Sequence, residues 1–343
     1  MSYYGFDSLQ KLKEHLGDTR QFASAEQFRV CGGPGDGNLI VRVRNGAGLS
    51  FDINMSRGFD IGLCELFSVP VAWASSSGRV SPHTYDKSGT EWNRGFEGGL
   101  LATCGYMQAG KPSNDLGEAL GQHGRASYIP GELLRCEFEE LPDPHFCIRG
   151  KVTETKACEE KITLYRTIKT YLCRNEIDIE DEVVNESFIP APHMMLYHFN
   201  FGYPLISSST SIRRFKSEKE IISGDADLDE CLCVHDVSDR AQPNVILHRN
   251  IASETDVVNL HISNRVEFNG ESRMLRVELS YDKSQCPYLT QWRHFRKGVN
   301  VFAFEPGNVS TKGRAWHREN GMLPILDPAQ RRRYCFKLSF GME

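Results

Sequence analysis

The chain has 343 residues, with 40% hydrophobic and 25% charged side chains and a formal net charge of −5. That balance is ordinary for a globular protein and excludes the basic footprint expected of a nucleic-acid or anionic-membrane binder. No apolar run approaches the length of a membrane-spanning helix.

Met1 to Gly17 lacks a basic segment followed by an apolar core, so no secretory signal is expected. Within it, Asp7 to Leu16 reads as a short amphipathic helix, capped by Asp7, with Leu9, Leu12 and Leu16 on one face. Beyond that point the pattern is almost entirely β. Leu39–Val43 and Leu49–Asn54 alternate as strands and are separated by an Asn45-Gly46 turn signal. Glu132–Glu139, Phe146–Thr155, Lys161–Cys173, Glu176–Asn185 and His193–Phe199 continue the meander. Val257–Ile262, Met274–Tyr281, Val299–Glu305 and Tyr334–Phe340 complete it. Closely spaced strands with few helical patterns predict an all-β sandwich or barrel. No Pro/Gly/Ser-rich linker divides the chain, so residues 1–343 read as one domain. The long Ser- and Gly-rich stretches Ala74–Arg94 and Gly105–Gly121 are expected to wall a pocket, because compact domains seldom carry such loops without a use.

Eleven cysteines show no Cys-x-x-Cys pair and no disulfide framework, which fits a reducing, cytoplasmic setting. Arg331 to Arg333 form a short basic run at a strand start and are read as solvated. No His-x-His or His-x-x-x-His spacing supports a metal site, and no cofactor is expected.

The candidate chemistry lies in five segments. Val299, Val301, Ala303 and Glu305 share one strand face while Phe302 and Phe304 take the other. A carboxylate in line with that apolar face is placed to become a desolvated general base. His198 and Asn200 likewise share a face, opposite Tyr197, Phe199 and Phe201. Arg57 and Asp60 follow a strand, Arg94 lies among glycines, and His123 precedes Gly124 and Arg125. Two imidazoles, several guanidiniums, carboxylates and amides interleaved with aromatics suit a site that holds a sugar and moves protons on it. The arginines hint at an anionic or heavily hydroxylated ligand.

Several of these motifs, in this order, resemble the galactose mutarotase (aldose 1-epimerase) superfamily, most closely its uncharacterised aldose-epimerase-like branch. The similarity runs through Arg166-Thr167-Ile168, Ile177 to Ser187 and His198-Phe199-Asn200, and resumes from Gln291 to Asn308 around Phe304-Glu305-Pro306. Arg57–Gly62, Arg94–Gly105 and His123-Gly124 follow the branch pattern in the N-terminal half. The resemblance implies a β-supersandwich with an open cleft and a short N-terminal helix. It implies a mutarotase or epimerase in which Glu305 takes the proton of the anomeric hydroxyl and a histidine, His198 or His123, protonates the ring oxygen. Arg57, Asp60, Arg94, Arg125, Asn200, Gln291 and Asn308 would then hold the substrate. The expected partner is a small carbohydrate, bound by a monomer or homodimer. The superfamily's better-known acid histidine falls at Leu196 here, with His198 two residues on along the same face. Its substrate-holding Asp has only Asp225, Asp227 and Asp236 as candidates, and its C-terminal Pro-Gly-Glu is replaced by Pro328-Ala329-Gln330. A carbohydrate-binding or sensing protein of the same fold is the non-catalytic alternative. A sugar isomerase or lyase using the same cleft is the third.

Overall fold

The computed structural model describes residues 4–343. Nearly all of its strands belong to two antiparallel sheets, one of eleven strands and one of eight. Along the larger sheet the order is Ser24–Arg29, Leu39–Arg44, Leu49–Asn54, Asp60–Leu66, Leu101–Tyr106, Met194–Phe201, Val301–Gly307, Tyr288–His294, Asn244–Arg249 and Glu218–Ser223. The short strand Val69–Pro70 pairs beside Asp60–Leu66. The smaller sheet runs Ser211–Ile212, Val257–Phe268, Glu271–Asp282, Arg331–Met342, Glu176–Asn185, Lys161–Tyr171, His145–Thr155 and Glu132–Glu139. The sheets pack face to face, with Phe336 of the smaller against Tyr197 and Phe199 of the larger at ring-centroid distances of 4.4 and 5.4 Å.

The period of two along Met194–Phe201 explains the layering. Met195, Tyr197, Phe199 and Phe201 enter the core between the sheets, while Met194 and Leu196 join a second apolar cluster on the outer face with Trp73, Trp92, Phe96 and Val301. Both faces of this strand are therefore covered, which is why every one of its residues is buried. The outer cover comes from the two long loops.

A buried ion network ties the sheets together beneath this strand. Arg166 is completely buried. Its Nε and one terminal nitrogen donate to Asp181 at 2.9 and 2.7 Å, and its other nitrogen donates to Asp60 at 2.9 Å. Further donations reach the Phe59 carbonyl at 3.3 Å and Thr103 Oγ1 at 2.9 Å. A guanidinium has five N–H donors, and all five are used. Arg166 and Asp181 belong to the smaller sheet and Asp60 and Thr103 to the larger, so one cation fixes how the sheets meet.

The strand boundaries match the expected ones to within a few residues for the strongly alternating segments. The N-terminal helix is shorter than expected, Leu9–Lys13, and its cap is Ser8, whose side chain accepts from the Lys11 N–H. Asp60–Leu66, Leu101–Tyr106, Tyr288–His294, Asn244–Arg249 and the edge strands Ser24–Arg29 and Glu218–Ser223 were not among the predicted elements. Several carry Asp, Gly, Gln or Arg inside the run, which weakens the local β signal, and tertiary pairing supplies the difference. All eleven cysteines are free thiols. Arg331 and Arg333 open a strand and pair with Glu182. No helix among the described residues is long and apolar enough to cross a membrane.

Replacing Arg166 by Met should cost about 3–5 kcal/mol, because two buried carboxylates lose their shared partner. Urea denaturation of Arg166→Met measures it; a loss below about 1 kcal/mol would show that the network does not hold the sheets.

Candidate active site

The register of the larger sheet builds the site. Met194–Phe201 pairs with Val301–Gly307 so that Leu196 faces Gly307 and Phe199 faces Phe304, and on that register His198 stands directly across from Glu305. The next strand places Thr290 opposite Glu305. On the outer face of the sheet His198 Nε2 lies 3.2 Å from Glu305 Oε1. Both residues are buried, at 4% and 2% exposure.

Burial decides the charge of this contact. It pushes the Glu305 carboxyl up to about 8, and it pulls His198 down to about 3, with the neighbouring His123 adding to the effect. Each group therefore favours its neutral form and the contact is not an ion pair: at neutral pH Glu305 keeps its carboxyl proton beside His198 Nε2. His198 Nδ1 makes no hydrogen bond of good geometry, although the Asn200 side chain beside the ring opposes the fall in its proton affinity. The Thr290 hydroxyl beside Glu305 is also buried and unpartnered.

His123 approaches from the loop between Gly121 and Arg125, with its ring centroid 6.1 Å from that of His198. Its backbone is left-handed, at φ 57°. Gly124 follows with φ 69°, where a Cβ would lie 2.5 Å from the Gln108 carbonyl oxygen, so only glycine fits. The His123 N–H donates to the Gly110 carbonyl at 2.9 Å, and its own carbonyl accepts from Gly105 N–H at 3.1 Å. The Gly110 N–H points to His123 Nδ1 at 3.4 Å, which makes Nδ1 an acceptor and leaves Nε2 as the donor. Burial lowers His123 to about 4, so this donor is neutral at physiological pH.

Glu305, His198 and His123 line one cavity of about 420 Å³ that opens to solvent, a size suited to a small molecule. Trp92, Phe96 and Trp292 form its aromatic wall. The ring centroids of Phe96 and Trp292 lie 5.3 and 5.5 Å from that of His198, and that of Trp92 lies 4.8 Å from that of His123. Thr90 and Asn93 come from one long loop, and Gly110, Lys111 and Pro112 from the other. Flat apolar rings with a few polar groups between them suit a ligand with both C–H and O–H faces.

The seven residues expected to hold substrate are placed elsewhere, and each has a structural reason. Arg57 is buried, donates to the carbonyls of Ser127, Val80 and Gly95, and stacks over Tyr128 at 4.0 Å. Asp60 is bound by Arg166 and Thr103 in the inter-sheet network. Arg94 is exposed and pairs with Glu91 three residues back. Arg125 faces a separate cleft beside Glu154. Asn200 donates to the carbonyls of Gly99 and His198, at 3.0 and 2.9 Å, and so braces the strand that carries His198. Gln291 points to the opposite sheet face, between His248 and the Cys231 carbonyl. Asn308 accepts from Met195 N–H and donates to the His193 carbonyl and the Tyr334 hydroxyl. Asp225, Asp227 and Asp236 are exposed and lie outside the cavity. With no arginine on the cavity wall, the hint of an anionic ligand loses its basis. Among the described residues no group of three or more His, Cys, Asp or Glu converges to hold a metal.

The wall residues Trp92, Phe96 and Trp292 were missed. Recognising Tyr288–His294 as a strand would have put Thr290 and Trp292 on the same face as Glu305. Trp92 lies in the single 3₁₀ turn Glu91–Gly95 and Phe96 caps it, too short a stretch for any periodicity to mark direction.

The sequence matches a family described as a domain of unknown function, DUF4432, over residues 35–340. No curated protein matches the chain in sequence. Among solved structures, a "putative aldose 1-epimerase" from Klebsiella pneumoniae superposes with a TM-score of 0.84 at 20% identity, covering 94% of this chain and 86% of that one. A galactose mutarotase-like protein from Clostridium acetobutylicum gives a TM-score of 0.56 at 12% identity, over 94% of this chain and 99% of that one. A galactose 1-epimerase from Lactobacillus acidophilus gives 0.56 at 11%, over 93% and 99%. At these identities the shared property is the fold. The chain belongs to the DUF4432 family and is built on the galactose mutarotase-like β-sandwich.

Proposed function

We propose that the cavity binds a monosaccharide and interconverts its anomers by general acid–base ring opening. The observation that carries this reading is the 3.2 Å separation of Glu305 Oε1 and His198 Nε2 at a cavity wall. Opening a cyclic sugar removes a proton from the anomeric hydroxyl and delivers one to the ring oxygen. Those two oxygens are bonded to the same carbon, so the base and the acid must stand side by side. Glycoside-cleaving carboxyl pairs are instead about 5–9 Å apart. The names carried by the structurally similar proteins point the same way.

The proton count closes without a cofactor. With the pair as carboxylate and imidazolium, Glu305 takes the anomeric proton and His198 gives its proton to the ring oxygen. The C1–O5 bond breaks and C1 becomes an aldehyde, leaving the pair as carboxylic acid and neutral imidazole. This neutral form, favoured by burial, is the one that closes the ring: after rotation about C1–C2, Glu305 protonates the carbonyl oxygen while His198 takes the proton of the attacking hydroxyl. One proton alternates between two neighbours, and each form runs one direction. Neutral His123, with Nε2 as donor, orients a substrate oxygen, and the aromatic wall holds the sugar's apolar face.

Glu305→Gln should retain sugar binding and lose about 10²–10⁴ in anomerisation rate, followed by polarimetry or NMR line exchange over a panel of aldoses, ketoses and uronic acids. His198→Asn should lose a similar factor, and His123→Asn should mainly raise KM. Undiminished exchange in Glu305→Gln would remove Glu305 from the mechanism.

The position of the shared proton has a separate signature in stability. Between about 4.5 and about 8 the folded protein keeps a Glu305 proton that the unfolded chain has released. The carboxyl's contribution to stability is therefore full at the acid end and falls as pH rises, by up to about 1.4 kcal/mol per pH unit. Denaturation curves of wild type and Glu305→Gln should diverge across that window, with the wild type losing ground at higher pH. Parallel curves would mean that the carboxyl ionises as an ordinary surface group does.

A further inference from the structure

A second cleft, of about 300 Å³, lies behind the loop that carries His123. Arg125 lines this cleft, whereas Gln122 and His123 face the first cavity. Its inner wall is Glu154. Along His145–Thr155 the alternation buries Val152 and Glu154 in turn, so a carboxyl occupies a core-facing position. Glu154 is 8% exposed and its Oε2 has no hydrogen-bond partner among the described residues. Its Oε1 lies 3.9 Å from Arg125 Nε, beyond hydrogen-bond reach. A buried carboxyl oxygen left without a partner carries a desolvation penalty that a ligand group would relieve.

The charges around it decide which ligand. Glu118 is taken by Arg314, and Lys156 pairs with Glu159 at 2.6 Å. Lys87 and Arg125 are the cleft cations with no hydrogen-bond partner for their side chains among the described residues, and the Glu160 and Glu154 carboxyls are in the same condition. Burial pushes Glu154 up to about 7, with Glu160 and Glu118 adding to the rise and Arg125 and Arg314 opposing it. Protonated, Glu154 is a hydrogen-bond donor, and the balance of free charge at the cleft is positive.

We propose that this cleft is an oxyanion site, in which Arg125 and Lys87 bind a sulfate or phosphate group and the Glu154 carboxyl donates to one of its oxygens. The site does not depend on the chemistry of the first cavity, although the two share a loop. Free inorganic anion and a phosphorylated small molecule present the same group.

Isothermal titration of the whole protein with sulfate tests the assignment, since sulfate stays dianionic across the range used. Saturable binding is expected near pH 6, weaker by about tenfold near pH 8, where Glu154 ionises and repels the anion. Arg125→Ala, at a half-exposed side chain whose loss leaves the fold intact, should weaken binding by about tenfold or more. Glu154→Gln should bind equally at both pH values, because the amide cannot ionise. Competition by glucose 6-phosphate separates the sources: displacement of sulfate more effective than by inorganic phosphate assigns the site to a phosphorylated metabolite, and equal displacement assigns it to the free anion. No saturable binding near pH 6 overturns the proposal, as does binding that survives Arg125→Ala or a pH dependence that persists in Glu154→Gln.

Discussion

The architecture depends on one fully buried cation. Arg166 reaches from the smaller sheet to Asp60 and Thr103 of the larger while holding Asp181 beside it, with every donor used. An unpaired charge at that depth would be too costly to keep, so the two sheets are compatible with few relative positions. Thr103 stands opposite Tyr197 in the sheet, and His198 follows Tyr197 in the chain. The network therefore fixes the inner face of the strand whose outer face carries the imidazole. A frame of this stiffness holds the His198 and Glu305 side chains 3.2 Å apart.

Burial also selects the chemistry. In water a Glu and a His at neutral pH would sit as a carboxylate and a partly charged imidazole. Against Phe96 and Trp292, with covered sheet beneath, the pair favours its neutral form and keeps a single proton. Because the carboxyl is raised to about 8 while the imidazole is lowered to about 3, the resting proton stays on Glu305, and its transfer to His198 needs a large change in the surroundings of the pair. The buried Thr290 hydroxyl beside Glu305 is an unmet polar group of the kind found where a ligand completes a network.

How much of this was legible in the sequence follows from where each residue lies. Glu305 and His198 could be placed because both stand in strands whose alternation assigns a face, and a shared face is a property of local sequence. His123 could be singled out beside Gly124, since a tight glycine turn leaves a side chain nowhere to go but outward. Arginine was the main source of error. Arg57 looks the same in sequence whether its guanidinium meets a ligand or three backbone carbonyls, and only the path of the distant Ser127 and Gly95 segments decides between them. Asp60, Asn200, Gln291 and Asn308 were misread for the same reason: their partners lie far along the chain and consume the groups a ligand would need. The aromatic wall failed in the opposite sense. Trp92 and Phe96 belong to one short 3₁₀ turn and its cap, too brief to show a period, so their convergence with Trp292 arises only from tertiary folding.

Nitrogen-15 NMR of the histidine rings tests the central claim most directly, because it reports where the shared proton resides. The account predicts that in the ligand-free protein at neutral pH His198 is neutral, with one ring nitrogen protonated and the other bare, and that it remains so well below the ordinary histidine range. A charged imidazolium at His198 at neutral pH, with both nitrogens protonated, would contradict it.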